Sequence, residues 1–187
     1  LMVQGLVNSF GPVVMAAFAA AVKIDAFAYM PAQDFGNAFA TYVAQNYGAQ
    51  NKERIEKGYH TALFISSLFC IFVAFIVNLF ASSLMKIFIT KPSVIQIGVE
   101  YLHIEGTFYI GIGILFLLYA LYRGLGKPFM SIVLTVISLG LRVLLAYVLS
   151  SYIGQIGIWW AVPIGWAMAD LFGIIYFMIK KKKLYAL

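Results

Sequence analysis

The sequence predicts an all-α integral membrane protein, and three observations support this prediction. Hydrophobic residues make up 63% of the 187 positions and charged residues only 11%, whereas a soluble domain has about 25% charged residues. The apolar residues form long runs, most of them reaching the roughly 20 residues that a helix needs to cross a bilayer. The basic residues, which give a net charge of +6, stand in short clusters between those runs. This placement is typical of membrane loops and argues against a nucleic-acid partner.

The apolar runs predict a single membrane lobe with five complete spans and the end of another. Gly11 and Pro12 end the first apolar stretch after about ten residues, so we interpret it as the trailing end of a span. The spans are predicted at residues 1–10 (partial), 13–47, 60–85, 101–122, 129–149 and 157–178, with a tail at 180–187. Polar connections are expected at 46–58 and 86–100.

The lysine and arginine residues predict the orientation of the chain. Nine of them lie in the 46–58 loop, the 123–128 loop and the tail, whereas three lie on the opposite side. Cytoplasmic loops carry the excess of basic residues. We therefore expect a multi-pass protein of the plasma (inner) membrane, with lipids around it and its C-terminus in the cytoplasm.

Asp34, in the 13–47 span, is the strongest candidate for binding an ion or a substrate. A carboxylate near the middle of the bilayer is costly unless it faces a cavity or a partner. Asn37 at i+3 and Thr41 at i+7 share its helix face, and Met30 at i−4 continues that face as an apolar surface. The alternative interpretation is a polar clamp to a neighbouring helix.

Further candidates for ion binding lie around Asp34 and in the third complete span. Pro31 followed by Gly36 is expected to break the helix, and a broken helix frees the backbone carbonyl groups that often contribute to ion sites. Gln33, Asp25 and Glu105 are also candidate ion- or substrate-binding residues. For Asp25 and Glu105 the alternative is an ordinary position at the membrane interface.

Arg142 and Asp170 lie deep in the last two spans and predict a structural ion pair. Their depths differ by about 9 Å, which is near the limit of what an arginine side chain bridges. Glu105 is the competing partner for Arg142. The sequence lacks the common zinc and serine-hydrolase signatures, so we predict no catalytic residue, no metal and no enzyme activity.

Several motifs resemble, in their order and spacing, the second half of the multidrug and toxic compound extrusion (MATE) family. The segments similar to its seventh-to-eighth span region are Gln4 to Gly11, Ala16-Ala, Lys23-Ile-Asp25, Gly36-Asn-Ala and Gln45-Asn-Tyr-Gly-Ala49. Tyr122-Arg-Gly-Leu-Gly126 resembles the loop after its tenth span, and Gly157 through Trp166 resembles the start of its twelfth. The resemblance covers essentially the whole chain and is closest to bacterial members.

The resemblance implies the second six-helix lobe of a MATE-type transporter. Such a transporter exports organic cations and other drugs in exchange for protons or sodium ions, with no cofactor beyond the coupling ion. The partner implied is the missing N-terminal lobe, supplied in cis or in trans. Sodium-coupled members use acids in the seventh and tenth spans, but here the seventh is cut short and residues 106–122 contain no acid. That departure leaves Asp25 and Asp34 as the remaining acids of the eighth span.

Three other classes of protein stay open at the level of sequence. A lipid-linked oligosaccharide flippase of the same superfamily is expected to line its cavity with several arginine or lysine residues, whereas only Arg142 lies deep here. An intramembrane enzyme would need converging catalytic groups. A non-transporting half-length membrane protein is the third alternative, because a lone lobe cannot form a cleft between lobes.

Overall fold

The described part of the chain folds into seven α-helices joined by turns of three residues or fewer. The computed structural model describes residues 2–184, except for the side chains of residues 182 and 183. The helices are α1 (Met2–Ser9), α2 (Pro12–Gly48), α3 (Lys52–Phe88), α4 (Pro92–Thr107), α5 (Tyr109–Gly124), α6 (Pro128–Ile153) and α7 (Gln155–Leu184). No strand occurs between residues 2 and 184. Position 1 of the predicted first span and positions 185–187 of the predicted tail lie outside the described residues.

Four helices are long and apolar enough to cross a membrane, namely α2, α3, α6 and α7. The shorter helices α4 and α5 meet at a bend of 51°, and taken together they are long and apolar enough for a fifth span. Helix α1 has only eight residues, which is too short to cross. The predicted all-α membrane architecture is therefore confirmed.

The predicted polar loop at 46–58 is much shorter than expected. Helix α2 continues to Gly48 and α3 begins at Lys52, which leaves residues 49–51 as the turn. Asn51 caps α3, because its side-chain oxygen accepts a hydrogen bond of 3.0 Å from the Arg54 amide. Glu53 and Lys57, one turn apart, form an ion pair of 2.6 Å on the exposed surface of the first turns. These local interactions stabilise the first turns of α3, so that the polar residues predicted to form a loop are helical instead.

The third complete span differs from the expected straight helix at 101–122. It begins at Pro92, inside the segment that was predicted to be a connection, and it breaks at Phe108. Proline suits the first turn of a helix, where the missing amide would have no partner. The earlier start moves Glu105 from the expected membrane interface to the middle of the bent pair.

The expected helix break at Pro31 and Gly36 does not occur. Helix α2 runs through both residues, although proline removes one hydrogen bond of the helix. Packing on neighbouring helices holds this segment in place. Gly36 lies against the backbone of Phe116 in α5, and Phe39 contacts the ring of Tyr59 in α3.

Helices α2 and α5 occupy the centre of the bundle. Helix α2 packs on α3, α4 and α5, whereas α6 and α7 form an extensively packed antiparallel hairpin that contacts α5. Gly154, at a φ of 65°, turns the chain between α6 and α7 in a single residue, which is a backbone conformation that favours glycine. The core contains large aromatic side chains, including the fully buried Tyr101, Tyr109 and Trp159.

Candidate functional site

The residues predicted to surround Asp34 form an exposed face of α2. We call this surface the α2 polar face, and its members are Gln33, Asp34, Asn37 and Thr41. The exposed side chains of Met30 and Phe27 continue it as an apolar surface. The opposite side of the helix is buried, as the small residues Ala32 and Gly36 illustrate. The 3.6-residue period of the helix therefore separates a polar face from a packed one.

Asp34 has no hydrogen-bond or ion-pair partner among residues 2–184, so the alternative of a polar clamp inside this lobe is not realised. A basic group that the sequence predicts only as part of the 123–128 loop also lies at the α2 polar face. Arg123, in the last turn of α5, donates a hydrogen bond of 3.0 Å from Nη2 to the side-chain oxygen of Asn37. Its Nε also donates to the Tyr119 carbonyl at 3.3 Å. The α2 polar face thus presents the carboxyl group of Asp34 and the guanidinium group of Arg123 to any molecule or lobe that packs against it.

Asp25 and Glu105, which the sequence predicts as separate candidates, lie near each other in the core. Each residue is only 2% exposed. The Asp25 carboxyl group, on α2, lies near Glu105 and Tyr101 on α4, and it accepts a hydrogen bond from the Tyr109 hydroxyl on α5. We call these four residues the buried acid cluster.

The spacing of the cluster explains why two of its members lie side by side. Tyr101 and Glu105 are four residues apart and share one face of α4, whereas Tyr109 follows after the break at Phe108. The sequence therefore contained a signal for the first two residues. It contained none for the proximity of Asp25, because that depends on how α2 packs against the bent pair.

Arg142 supplies a positive charge to the buried acid cluster from α6. Its guanidinium group interacts electrostatically with both Asp25 and Glu105, and its Nε is buried without a hydrogen-bond partner among the described residues. The competing partner, Glu105, is thus close to Arg142, and the predicted Arg142–Asp170 ion pair does not form. Gly165 of α7 lies beside Arg142, so Asp170 is displaced by five residues, or about 7.5 Å, along α7.

Asp170 occupies a separate buried position. Its side chain is 7% exposed, and Oδ1 has no hydrogen-bond partner in the described part of the chain. Gly111 of α5 lies alongside, because a Cβ at that glycine would be 3.8 Å from the Asp170 Oδ2 atom. No group of three or more His, Cys, Asp or Glu residues between positions 2 and 184 is arranged to hold a metal ion.

Comparison with known proteins places this arrangement in a class of multi-pass membrane transporters. The sequence model of the MatE family matches residues 1–148. The chain therefore belongs to the multidrug and toxic compound extrusion (MATE) family, as its sequence motifs predicted.

Two curated relatives illustrate the similarity and its extent. The chain is 26% identical to "Probable multidrug resistance protein YpnP" of Bacillus subtilis, over 94% of this chain and 40% of that protein. It is 28% identical to "Probable multidrug resistance protein NorM" of Thermotoga maritima, over 74% of this chain and 30% of that protein. The chain thus spans about 40% of the length of the first of these relatives.

Solved structures of transporters share the fold. A MOP superfamily transporter from Pyrococcus furiosus matches 100% of this chain and 43% of its own length, with a TM-score of 0.91 at 21% identity. The MATE transporter VcmN of Vibrio cholerae, in its bent form, matches 98% of this chain and 43% of its own length, with a TM-score of 0.89 at 19% identity. At such identities the likeness concerns the fold, and it confirms a half-length MATE-type lobe.

Proposed function

We propose that this chain is the C-terminal lobe of a secondary antiporter that exports organic cations in exchange for protons or sodium ions. The observation that carries the proposal is the exposure of the α2 polar face. An unsatisfied polar group in hydrocarbon costs several kcal/mol. Asp34 and its polar neighbours therefore need water, a substrate or a second lobe in front of them.

The exposed surfaces of other helices support this interpretation by contrast. The exposed side of α3 presents large apolar side chains to the surroundings, namely Phe64, Leu68, Ile71, Phe72, Phe75 and Leu79. Helix α6 does the same with Phe129, Ile132, Val136 and Leu139. Such surfaces suit lipid tails, whereas the α2 polar face suits a water-filled cleft between two lobes.

The composition of the α2 polar face favours a cationic, partly apolar substrate. Asp34 offers a negative charge, and the adjacent Phe27 and Met30 offer exposed aromatic and thioether surface. Aromatic rings attract cations through their faces, and methionine adapts to ligands of different shapes. The interaction of Arg142 with Asp25 and Glu105 disfavours the flippase alternative, because it leaves this deep arginine facing acids of its own lobe.

In the proposed mechanism, one lobe rocks against the other around a site near the middle of the membrane. The coupling ion and the drug stabilise opposite orientations, because each ligand shifts the equilibrium towards the state that it binds better. The excess of basic residues on the side of the membrane that holds the C-terminus supports a cytoplasmic location for it. The membrane is then the plasma membrane, where drug export is useful.

The test is efflux of a fluorescent organic cation from cells that express a transporter carrying this lobe. Asp34→Asn removes the charge with little change in shape, so we expect export to fall about tenfold or more, since losing a charge-assisted contact costs roughly 1.5–3 kcal/mol. Glu53→Gln is the control, because Glu53 lies on the exposed start of α3 and pairs with Lys57. Undiminished, ion-coupled export by Asp34→Asn would remove Asp34 from the mechanism.

A further inference from the structure

A cavity of about 520 Å³ lies at one end of the α6–α7 hairpin, between the first turn of α6 and the last turns of α7. Its volume is within the range of small-molecule sites. The side chains that define it are Lys127, Phe129, Met130, Tyr176, Lys180 and Leu184. Met130 and Leu184 are buried, whereas both lysines and Phe129 are exposed. The cavity therefore has an apolar floor and a rim that carries two positive charges.

The two lysines of this cavity have no acidic partner. No aspartate or glutamate is among the described residues that line it, and the ion pairs of the described side chains use other lysines, Lys57 and Lys181. Two ammonium groups at one cavity repel each other. A negatively charged group between Lys127 and Lys180 would relieve this repulsion.

Lys180 and Lys181 are neighbours in the sequence, but they have different surroundings. Lys181 forms an ion pair of 2.9 Å with Glu56 of α3. Lys180 follows Tyr176 by four residues and precedes Leu184 by four, so these three side chains share the face of α7 that lines the cavity. The Tyr176 ring packs edge-on against Tyr122, at 6.1 Å between centroids. Lys180 thus belongs to a packed helical face that is distinct from the ion-paired one.

An exposed apolar stripe leads away from the cavity along α6. Its members, three or four residues apart on one helix face, are Phe129, Ile132, Val136 and Leu139. Ten residues of helix from the first to the last of them cover about 15 Å. This is half of the roughly 30 Å hydrocarbon core, or one leaflet of a bilayer. A ligand at this place meets positive charge at one end and apolar surface at the other.

We propose that Lys127 and Lys180 bind the headgroup phosphate of an anionic phospholipid, whose acyl chain lies along the exposed apolar stripe of α6. Basic pockets between membrane helices recognise anionic headgroups in this way. A zwitterionic lipid fits less well, because the lysines repel its cationic headgroup amine. The cytoplasmic leaflet follows from the orientation proposed above, whereas the site itself requires only that the lobe spans a membrane.

The experiment compares two photoreactive lipids in a purified transporter that carries this lobe. The protein is reconstituted in phosphatidylcholine vesicles that contain a trace of photoreactive phosphatidylglycerol or of photoreactive phosphatidylcholine with the same acyl chains. Cross-linked peptides are located by mass spectrometry. We expect phosphatidylglycerol to label residues 129–139 at least about tenfold more than phosphatidylcholine does. Lys127→Gln and Lys180→Gln should each lower this labelling about fivefold, the loss expected for one basic residue near a lipid headgroup.

The adjacent lysine provides a matched control. Lys181→Gln removes the same charge on the same turn of α7, but it should leave the labelling unchanged, because Lys181 already pairs with Glu56. Lys180→Arg keeps the charge and should keep the labelling. Gel filtration and the midpoint of thermal unfolding verify that each variant is folded. Since the lysines at positions 127 and 180 are exposed, we expect no change in either measurement.

Three results would overturn the proposal. The first is equal labelling of residues 129–139 by the two lipids, which would reduce the lysines to ordinary interfacial residues. The second is an equal loss of labelling in Lys181→Gln and Lys180→Gln, which would indicate a general effect of surface charge. The third comes from competition: if inorganic phosphate protected as well as a soluble short-chain phosphatidylglycerol at the same concentration, the cavity would bind free phosphate instead of lipid.

Discussion

Asp25 and Asp34 are nine residues apart on α2 and lie in opposite environments. Nine residues correspond to about two and a half helical turns, so the two side chains point to opposite sides of the helix. Asp25 enters the core and lies near Glu105, whereas Asp34 faces outward without a partner in the described chain. One helix thus connects a buried acid with an exposed one. A structural change at either residue can therefore be transmitted to the other through α2.

At this scale we predict that Tyr109→Phe destabilises the protein by about 1–3 kcal/mol, because it leaves a buried oxygen of Asp25 without its donor. The ring itself remains, so its edge-to-face contact with Tyr29, at 6.5 Å between centroids, is preserved. The measurement is the midpoint of thermal unfolding in detergent. Tyr152→Phe is the control, since Tyr152 is 82% exposed. Equal midpoints for the two variants would show that the Tyr109 hydroxyl group contributes nothing to stability.

The sequence predicted the individual polar residues better than their partners. It identified Asp34 with its face-sharing neighbours because a helical period alone decides which residues lie side by side. It paired Arg142 with Asp170 from helix rise, whereas the register of the α6–α7 hairpin places Gly165 beside Arg142. Contacts between helices depend on packing, and packing is not periodic in the sequence.

Among the helices, the α6–α7 hairpin depends on close approach at small residues. Gly165 lies so near the α6 backbone that a Cβ there would be 2.7 Å from the Ser138 carbonyl oxygen. By contrast, a Cβ at Gly140 of α6 would have no atom within 4 Å. Gly165 therefore permits the close approach of the two helices, whereas Gly140 does not contribute to it.

We predict that Gly165→Ala destabilises the hairpin, because the new methyl group must push α6 and α7 apart, at a typical cost of about 1–3 kcal/mol. Gly140→Ala is the matched control and should stabilise the protein by up to about 1 kcal/mol, since alanine is the better helix former. Thermal unfolding of both variants, side by side, provides the measurement. If Gly165→Ala were the more stable variant, the close approach of the two helices would not exist.

The boundaries of the helices show what hydropathy cannot predict. The apolar runs located every span, but helices continue beyond the bilayer where caps and ion pairs support them, as at Asn51 and Glu53. Neither a proline nor a pair of adjacent glycines predicts the break at Phe108. Helices α4 and α5 both pack on α2, α3 and α7, so their packing neighbours do not explain the bend either. Conversely, Pro31 does not break α2, because neighbouring helices hold that segment.

For the whole molecule, the distribution of exposed residues separates two kinds of surface. Helices α3 and α6 expose apolar side chains, whereas α2 exposes Asp34, Asn37 and Thr41. The sequence predicted the fold of the lobe through its family motifs, which depend on order and spacing. The sequence could not show which side of each helix is exposed. The mean hydropathy of a span is similar whether its exposed side is apolar or carries a few polar residues.

The last prediction tests whether the α2 polar face lines a water-filled cleft. In a transporter that carries this lobe, we expect a charged, membrane-impermeant thiol reagent to label Thr41→Cys at least about tenfold faster than Phe72→Cys, because a charged group enters hydrocarbon only at a cost of several kcal/mol. Phe72 is 60% exposed on the apolar side of α3.

Two further comparisons make the labelling result specific. The unmodified protein reports the background, since its one cysteine, Cys70, is buried. An organic cation added in excess should slow the labelling of Thr41→Cys if the substrate occupies the cleft near Asp34, but it should leave Phe72→Cys unchanged. If Thr41→Cys reacted no faster than Phe72→Cys, the α2 polar face would not be in contact with water. The cleft proposed between the two lobes would then have to lie elsewhere.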